Sequence, residues 1–178
     1  MDKVIVVASK NAGKIKEFKE MLEPKGYEVQ SLADYPDIGE IDETGTTFSA
    51  NAIIKAQAIT DKYHIMAISD DSGLEIDAFD KQPGVQSARW LGHDTPYSYK
   101  NQVVLDRMKD ETNRSCRYVC AIAVTRPNHE PVVLWEHDAP LQSLCLGRYP
   151  LCAPHLHSPC AFVRRQSYWH RCAFAYIP

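Results

Sequence analysis

The chain has 178 residues, 44% of them hydrophobic and 24% charged, with a formal net charge of −3. That is the balance of one globular domain, or of two small lobes sharing a core. No run approaches the roughly 18 apolar residues of a membrane span, so no membrane association is expected, and the acidic balance argues against nucleic acid held by bulk electrostatics.

Met1-Asp2-Lys3-Val4 opens directly into a strand-like run, without the basic start, long apolar stretch or cleavage site of a secretory signal, so a cytoplasmic location is expected. Lys3–Ala8 is a short β-branched run suited to a buried strand. From Gly13 to Pro24, Ile15, Phe18, Met21 and Leu22 recur at helical spacing. Tyr27–Leu32 reads as a second strand, followed by an acidic loop through Asp42-Glu43-Thr44-Gly45. Thr47–Tyr63 is the clearest helix, with Phe48, Ala52, Ala56 and Ile59 in one stripe. His64–Ser69 reads as a strand that ends in Asp70-Asp71-Ser72-Gly73. A turn at Pro83-Gly84 precedes a helix over Tyr97–Lys109, and Arg117–Thr125 alternates as a strand that Pro131–Leu134 can pair with as a hairpin. Strands interleaved with helices predict an α/β sheet with covered faces.

Composition then changes. All 23 acidic residues lie at or before Asp138, alongside 16 of the 20 basic ones, a net −7, whereas the last 40 residues hold four arginines and no acid. The tail also carries Cys145, Cys152, Cys160 and Cys172. The chain is therefore read as a body, residues 1–134, and an atypical tail, residues 135–178, that is not a separate domain; a shifted reading frame would produce so abrupt a change. Cys152, His155, His157 and Cys160 form a C-x2-H-x-H-x2-C run. The run is unlike the common zinc patterns and is constrained by two prolines, so no zinc site is expected.

Three stretches of the body carry chemistry. Ser9-Lys10-Asn11-Ala12-Gly13-Lys14 links the first strand to the first helix. Such a turn presents backbone N–H groups and lysines to an anion, although its glycine spacing is not that of a P-loop; an ordinary turn with solvated lysines is the alternative. Asp42 and Glu43 precede the long helix, where carboxylates can hold magnesium, a hard ion that takes oxygen ligands. Asn51 and Lys55, four apart, share a face of that helix; a solvated acidic loop and a surface lysine would also fit. In Asp70-Asp71-Ser72-Gly73, adjacent carboxylates alternate in direction along a strand, so one can face a reacting group while the scaffold holds the other. A turn in which aspartate caps backbone N–H groups is the plainer reading.

The order and content of these stretches resemble one family. From Met1 to about Leu134 the chain is similar to the non-canonical purine nucleoside triphosphate pyrophosphatases, the inosine/xanthosine triphosphatases. The resemblance rests on Ala8–Lys14, Glu43–Phe48, Asn51-Ala52 with Lys55, Asp70–Leu74 and Pro83–Arg89. It implies a long twisted mixed β-sheet with flanking helices, two lobes around a cleft, and a homodimer. It also implies magnesium-dependent hydrolysis of ITP, dITP and XTP to the monophosphate and pyrophosphate, which clears deaminated purines from the nucleotide pool. On this reading Ser9, Lys10, Asn11, Ala12, Gly13 and Lys14 cradle the triphosphate. Asp42 or Glu43 holds the metal with Asp71, which is also the general base; Lys55 meets phosphate; Asn51 and Ser72 adjoin the substrate. The tail departs from the family, lacking its Gly-Phe-Gly-Tyr-Asp-Pro and Ser-His-Arg segments, so impaired activity is expected. A nucleotide-binding protein without turnover, or a pyrophosphatase for other modified nucleotides, is the alternative.

Overall fold

Asn11 breaks the chain out of its first strand and starts a helix. Its backbone is extended and its side chain accepts from the N–H groups of Gly13 and Lys14, which caps the exposed helix start. The computed structural model describes residues 3–137, with strands β1 (Val4–Val7), β2 (Glu28–Ser31), β3 (Met66–Ile76), β4 (Cys116–Thr125) and β5 (Val132–His137), and helices α1 (Ala12–Leu22), α2 (Phe48–Tyr63) and α3 (Tyr97–Arg107). Residues 138–178, with Cys145, Cys152, Cys160, Cys172, His155 and His157, lie outside the described residues.

The strands form one sheet in the order β2-β1-β3-β4-β5. β1 pairs in parallel with β2, Val4 opposite Glu28 and Val7 opposite Ser31, and in parallel with β3, Ile5 opposite Met66 and Val7 opposite Ile68. β4 and β5 are neighbours joined by a short link, too short for a parallel crossover, so they run antiparallel and the sheet is mixed.

The described residues fall into two compact units, 3–71 with 121–135 and 72–120 with 136–137. In the first, Ile5, Val6, Val7 and Ile68 are buried, as the β-branched run of β1 requires. α1 buries Phe18 and Leu22, and α2 buries Phe48, Asn51, Ala52, Ala56, Ile59 and Thr60 along one stripe. α2 opens on Thr47, whose hydroxyl caps Ala50 N–H, and closes on His64 with φ 55°, in the left-handed region. The second unit packs Ile76, Val104, Met108 and Cys116 together, with Leu74, Ala78, Phe79 and Trp90 against them. No helix among the described residues is long and apolar enough to cross a membrane.

One element differs from its reading in the sequence. The third strand does not end at Asp70-Asp71-Ser72-Gly73 but runs through it as an 11-residue strand to Ile76. Asp, Ser and Gly favour turns because their side chains, or the lack of one, suit turn backbones. Here the two carboxylates find cationic partners on opposite sides of the strand, and the extended backbone persists.

Candidate active site

β1 and β3 lie side by side, and the segments leaving the carboxyl end of β1 lead into α1. Past the last paired residues, Ala8 N–H still donates to Ile68 O at 2.8 Å, so Ser9 and the Asp70-Asp71 pair emerge at the same end of two parallel strands. α1 returns to β2 on one side of β1, whereas α2 feeds β3 on the other. Ligand sites in open α/β sheets lie beyond strand carboxyl ends at such a reversal of strand order.

Strand alternation divides the two aspartates between the helices. Asp70 points towards α1, where Lys14 Nζ donates to its Oδ2 at 2.6 Å. Its Oδ1 is buried without a hydrogen-bond partner among the described residues. Asp71 points towards α2. Lys55 Nζ lies 3.3 Å from its Oδ1, and Asn51 Nδ2 donates to its Oδ2 at 3.3 Å. Asn51 and Lys55 thus share a helix face, as their spacing predicts, and both use it on Asp71. Two residues earlier on the same side of the strand, buried Ser69 donates its hydroxyl to Ala52 O, a second tie between β3 and the first turns of α2.

Lys55 also meets the acidic loop, its Nζ 2.9 Å from Glu43 Oε1. Between the two loop carboxylates, Glu43 is the half-buried one that joins the site, while Asp42 is exposed. One ammonium group therefore sits between Glu43 and Asp71. Burial is the largest influence on Asp71 and pushes its carboxyl above the usual aspartate range; Lys55 pulls it down, Glu43 pushes it up, and the Asn51 and Lys55 hydrogen bonds oppose the rise.

The turn after β1 is arranged differently from its reading in the sequence. The N–H groups of Gly13 and Lys14 are taken by Asn11 Oδ1, and that of Asn11 by Ser9 Oγ at 3.1 Å. The turn therefore offers an anion its lysines more than a row of open backbone donors. Lys10, Ala12 and Gly13 are exposed there, and Ser9 and Lys14 are half-buried. Ser72 follows Asp71 in β3 and is half-buried, in the second unit.

Carboxylate oxygens are the donors magnesium prefers, and in triphosphate sites that ion is held by one or two carboxylates together with phosphate oxygens and water. Glu43 and Asp71 already converge on one cation, Lys55, which stands where positive charge is called for. The donor set fits magnesium, although no group of three His, Cys, Asp or Glu converges among the described residues.

Two features escaped the sequence reading. Gly45 donates its N–H to Asn51 Oδ1 at 2.8 Å, and a Cβ at Gly45 would stand 2.6 Å from that oxygen and 2.7 Å from Ala50 Cβ. The Lys14–Asp70 pair joins residues 56 positions apart. A glycine six residues before a buried asparagine and a lysine opposite a doubled aspartate were the available signals.

The Ham1 family model matches residues 5–139. A protein of Exiguobacterium sp. described as a dITP/XTP pyrophosphatase is 45% identical over 130 residues, covering 73% of this chain and 66% of its own length. One from Oceanobacillus iheyensis with the same description is 41% identical over 159 residues, 88% of this chain and 74% of its own, an alignment that extends past the end of the family match. Among solved structures, the Staphylococcus aureus Ham1 protein superposes with a TM-score of 0.70 at 34% identity, covering 75% of this chain and 69% of that one. A Coxiella burnetii HAM1 protein gives 0.70 at 33%, covering 75% and 70%. The chain spans about two thirds to three quarters of these relatives, with the motif residues of its site inside the matched region. It belongs to the Ham1 family.

Proposed function

We propose that this chain is a nucleoside triphosphate pyrophosphatase that hydrolyses non-canonical purine nucleotides, ITP, dITP and XTP, to the monophosphate and pyrophosphate. The observation that carries the reading is the convergence of Glu43 and Asp71 on Lys55 at the carboxyl end of paired parallel strands. Family membership and the dITP/XTP pyrophosphatase relatives supply the substrate class.

In this mechanism Asp71 accepts a proton from water as its oxygen attacks the α-phosphorus. The α–β anhydride P–O bond breaks and pyrophosphate leaves with the electron pair. Burial raises the basicity of Asp71 while the neighbouring ammonium keeps it available in ionised form. Lys10, Lys14 and Lys55 neutralise charge on the phosphate oxygens, which grows as the bond to the leaving group breaks. Glu43 and Asp71 would hold Mg2+, which when bound supplies further charge neutralisation and orientation of the phosphates. Asp42 stands exposed beside Glu43. Ser72, next in the strand to Asp71, adjoins the substrate. On the resemblance, the working form is a cytoplasmic homodimer.

The test is pyrophosphate release by the full chain from ITP, XTP, ATP and GTP, with magnesium and with chelator. Release is expected from ITP and XTP well above ATP and GTP, lost with chelator, and lowered about 100-fold or more by Asp71→Asn. Equal turnover of ATP and ITP would refute the substrate class, and near-normal turnover by Asp71→Asn would refute the base.

A further inference from the structure

We infer that Asn51 is a positioning residue: its amide clasps the loop carrying Glu43 to the carboxylate of Asp71 and so sets the spacing of the two acidic groups, without touching substrate. This rests on the reading of Asp71 as the base.

Asn51 is completely buried, at 0% exposure. Both ends of its amide are engaged, Oδ1 by Gly45 N–H at 2.8 Å and Nδ2 by Asp71 Oδ2 at 3.3 Å. The chemistry admits one orientation. A backbone N–H only donates, so the amide oxygen must face Gly45, and the NH2 group then faces a carboxylate that only accepts while ionised. Space is equally restrictive. A Cβ at Gly45 would meet Asn51 Oδ1 at 2.6 Å and Asn51 N at 2.9 Å, closer than real Cβ atoms come, so the loop approaches helix α2 as a glycine or not at all. Glu43 lies two residues before Gly45 and meets Lys55 one helical turn beyond Asn51. Loop, helix and strand are thereby joined at a single side chain.

The clasp predicts how its parts fail. In the full chain, Asn51→Ala is expected to lower kcat for ITP about 100-fold, the scale of an ångström-sized misplacement of a reacting group, while KM changes less than about threefold. The same substitution in an Asp71→Asn background is expected to cost far less, because most of the amide's effect passes through that carboxylate. Hydrogen exchange reads the loop half without turnover. Gly45 N–H is expected to exchange at least about tenfold faster in Asn51→Ala, and to stay protected in Asn51→Asp, which keeps the acceptor but loses the donor to Asp71. A kcat loss that multiplies fully with Asp71→Asn, or unchanged Gly45 exchange in Asn51→Ala, would overturn the clasp. Near-normal turnover by Asp71→Asn alone would instead overturn the assignment of the base.

Discussion

Replacing Lys55 by methionine keeps the length and packing of the side chain and removes its charge. In the native site the ammonium lies 2.9 Å from Glu43 and 3.3 Å from Asp71, with the three side chains only 13, 24 and 12% exposed. Without it, Asp71 retains the Asn51 amide as its hydrogen-bond partner among the described residues and faces a second carboxylate. Breaking a buried pair costs about 3–5 kcal/mol, and partial exposure trims that here to about 2–3 kcal/mol. For a chain of this size the loss corresponds to a drop in Tm of roughly 5–10 °C. The deficit must depend on pH. Burial already raises the folded-state pKa of Asp71, and loss of Lys55 raises it further. A raised carboxyl keeps its proton in the folded state where the unfolded chain has released it. The cost is therefore absent below the unfolded value of about 4, grows as pH rises through the folded value, and is complete above it. Thermal melts of Lys55→Met and wild type from about pH 4 to pH 8 check this, the gap widening with pH. Magnesium is expected to narrow the gap at high pH by restoring positive charge between the carboxylates. The resemblance places Lys55 on phosphate; a Tm unchanged at neutral pH, or a deficit independent of pH, would refute its structural role.

Asp71→Asn mimics the protonated acid, and since the folded state disfavours the ionised form, the variant should melt at or above wild type near neutral pH while losing turnover; a lower Tm would contradict this. For the same reason the acidic limb of kcat/KM for ITP should fall at a higher pH than that of an ordinary aspartate, and a limb near pH 4 would refute it. Lys14→Ala removes the cation from Oδ2 of buried Asp70, whose Oδ1 has no hydrogen-bond partner among the described residues, and should cost about 3 kcal/mol in denaturant unfolding, with most of the stability recovered in Lys14→Ala/Asp70→Asn. Replacing residues 135–178 by a segment containing the family's glycine-rich and Ser-His-Arg stretches should raise pyrophosphate release from ITP. Equal rates in the two chains would show that this tail costs the enzyme nothing.

Local rules were sufficient for much of this. The β-branched run of β1, the stripe along α2 and the hairpin of β4 and β5 were legible because they depend on spacing and on side chains that lose water. Asn51 and Lys55 on one helix face followed from the helical period alone. The motif order likewise pointed to the family, because chemistry on a triphosphate restricts residue type and sequence together. What the sequence left open was decided by contacts between distant residues. Nothing local distinguishes Asp42 from Glu43, and only the approach of the loop to α2 brings Glu43 to Lys55. Nothing local keeps Asp70-Asp71 extended, since their residue types favour a turn; the strand continues inside the sheet between β1 and β4, where Lys14 from one helix and Lys55 from another meet the two carboxylates on opposite sides. The same packing buries Asn51, which by spacing alone could have faced a ligand. Propensity and periodicity act over a few residues, whereas the direction and partner of a charged side chain depend on which strands pair and which helices cover them.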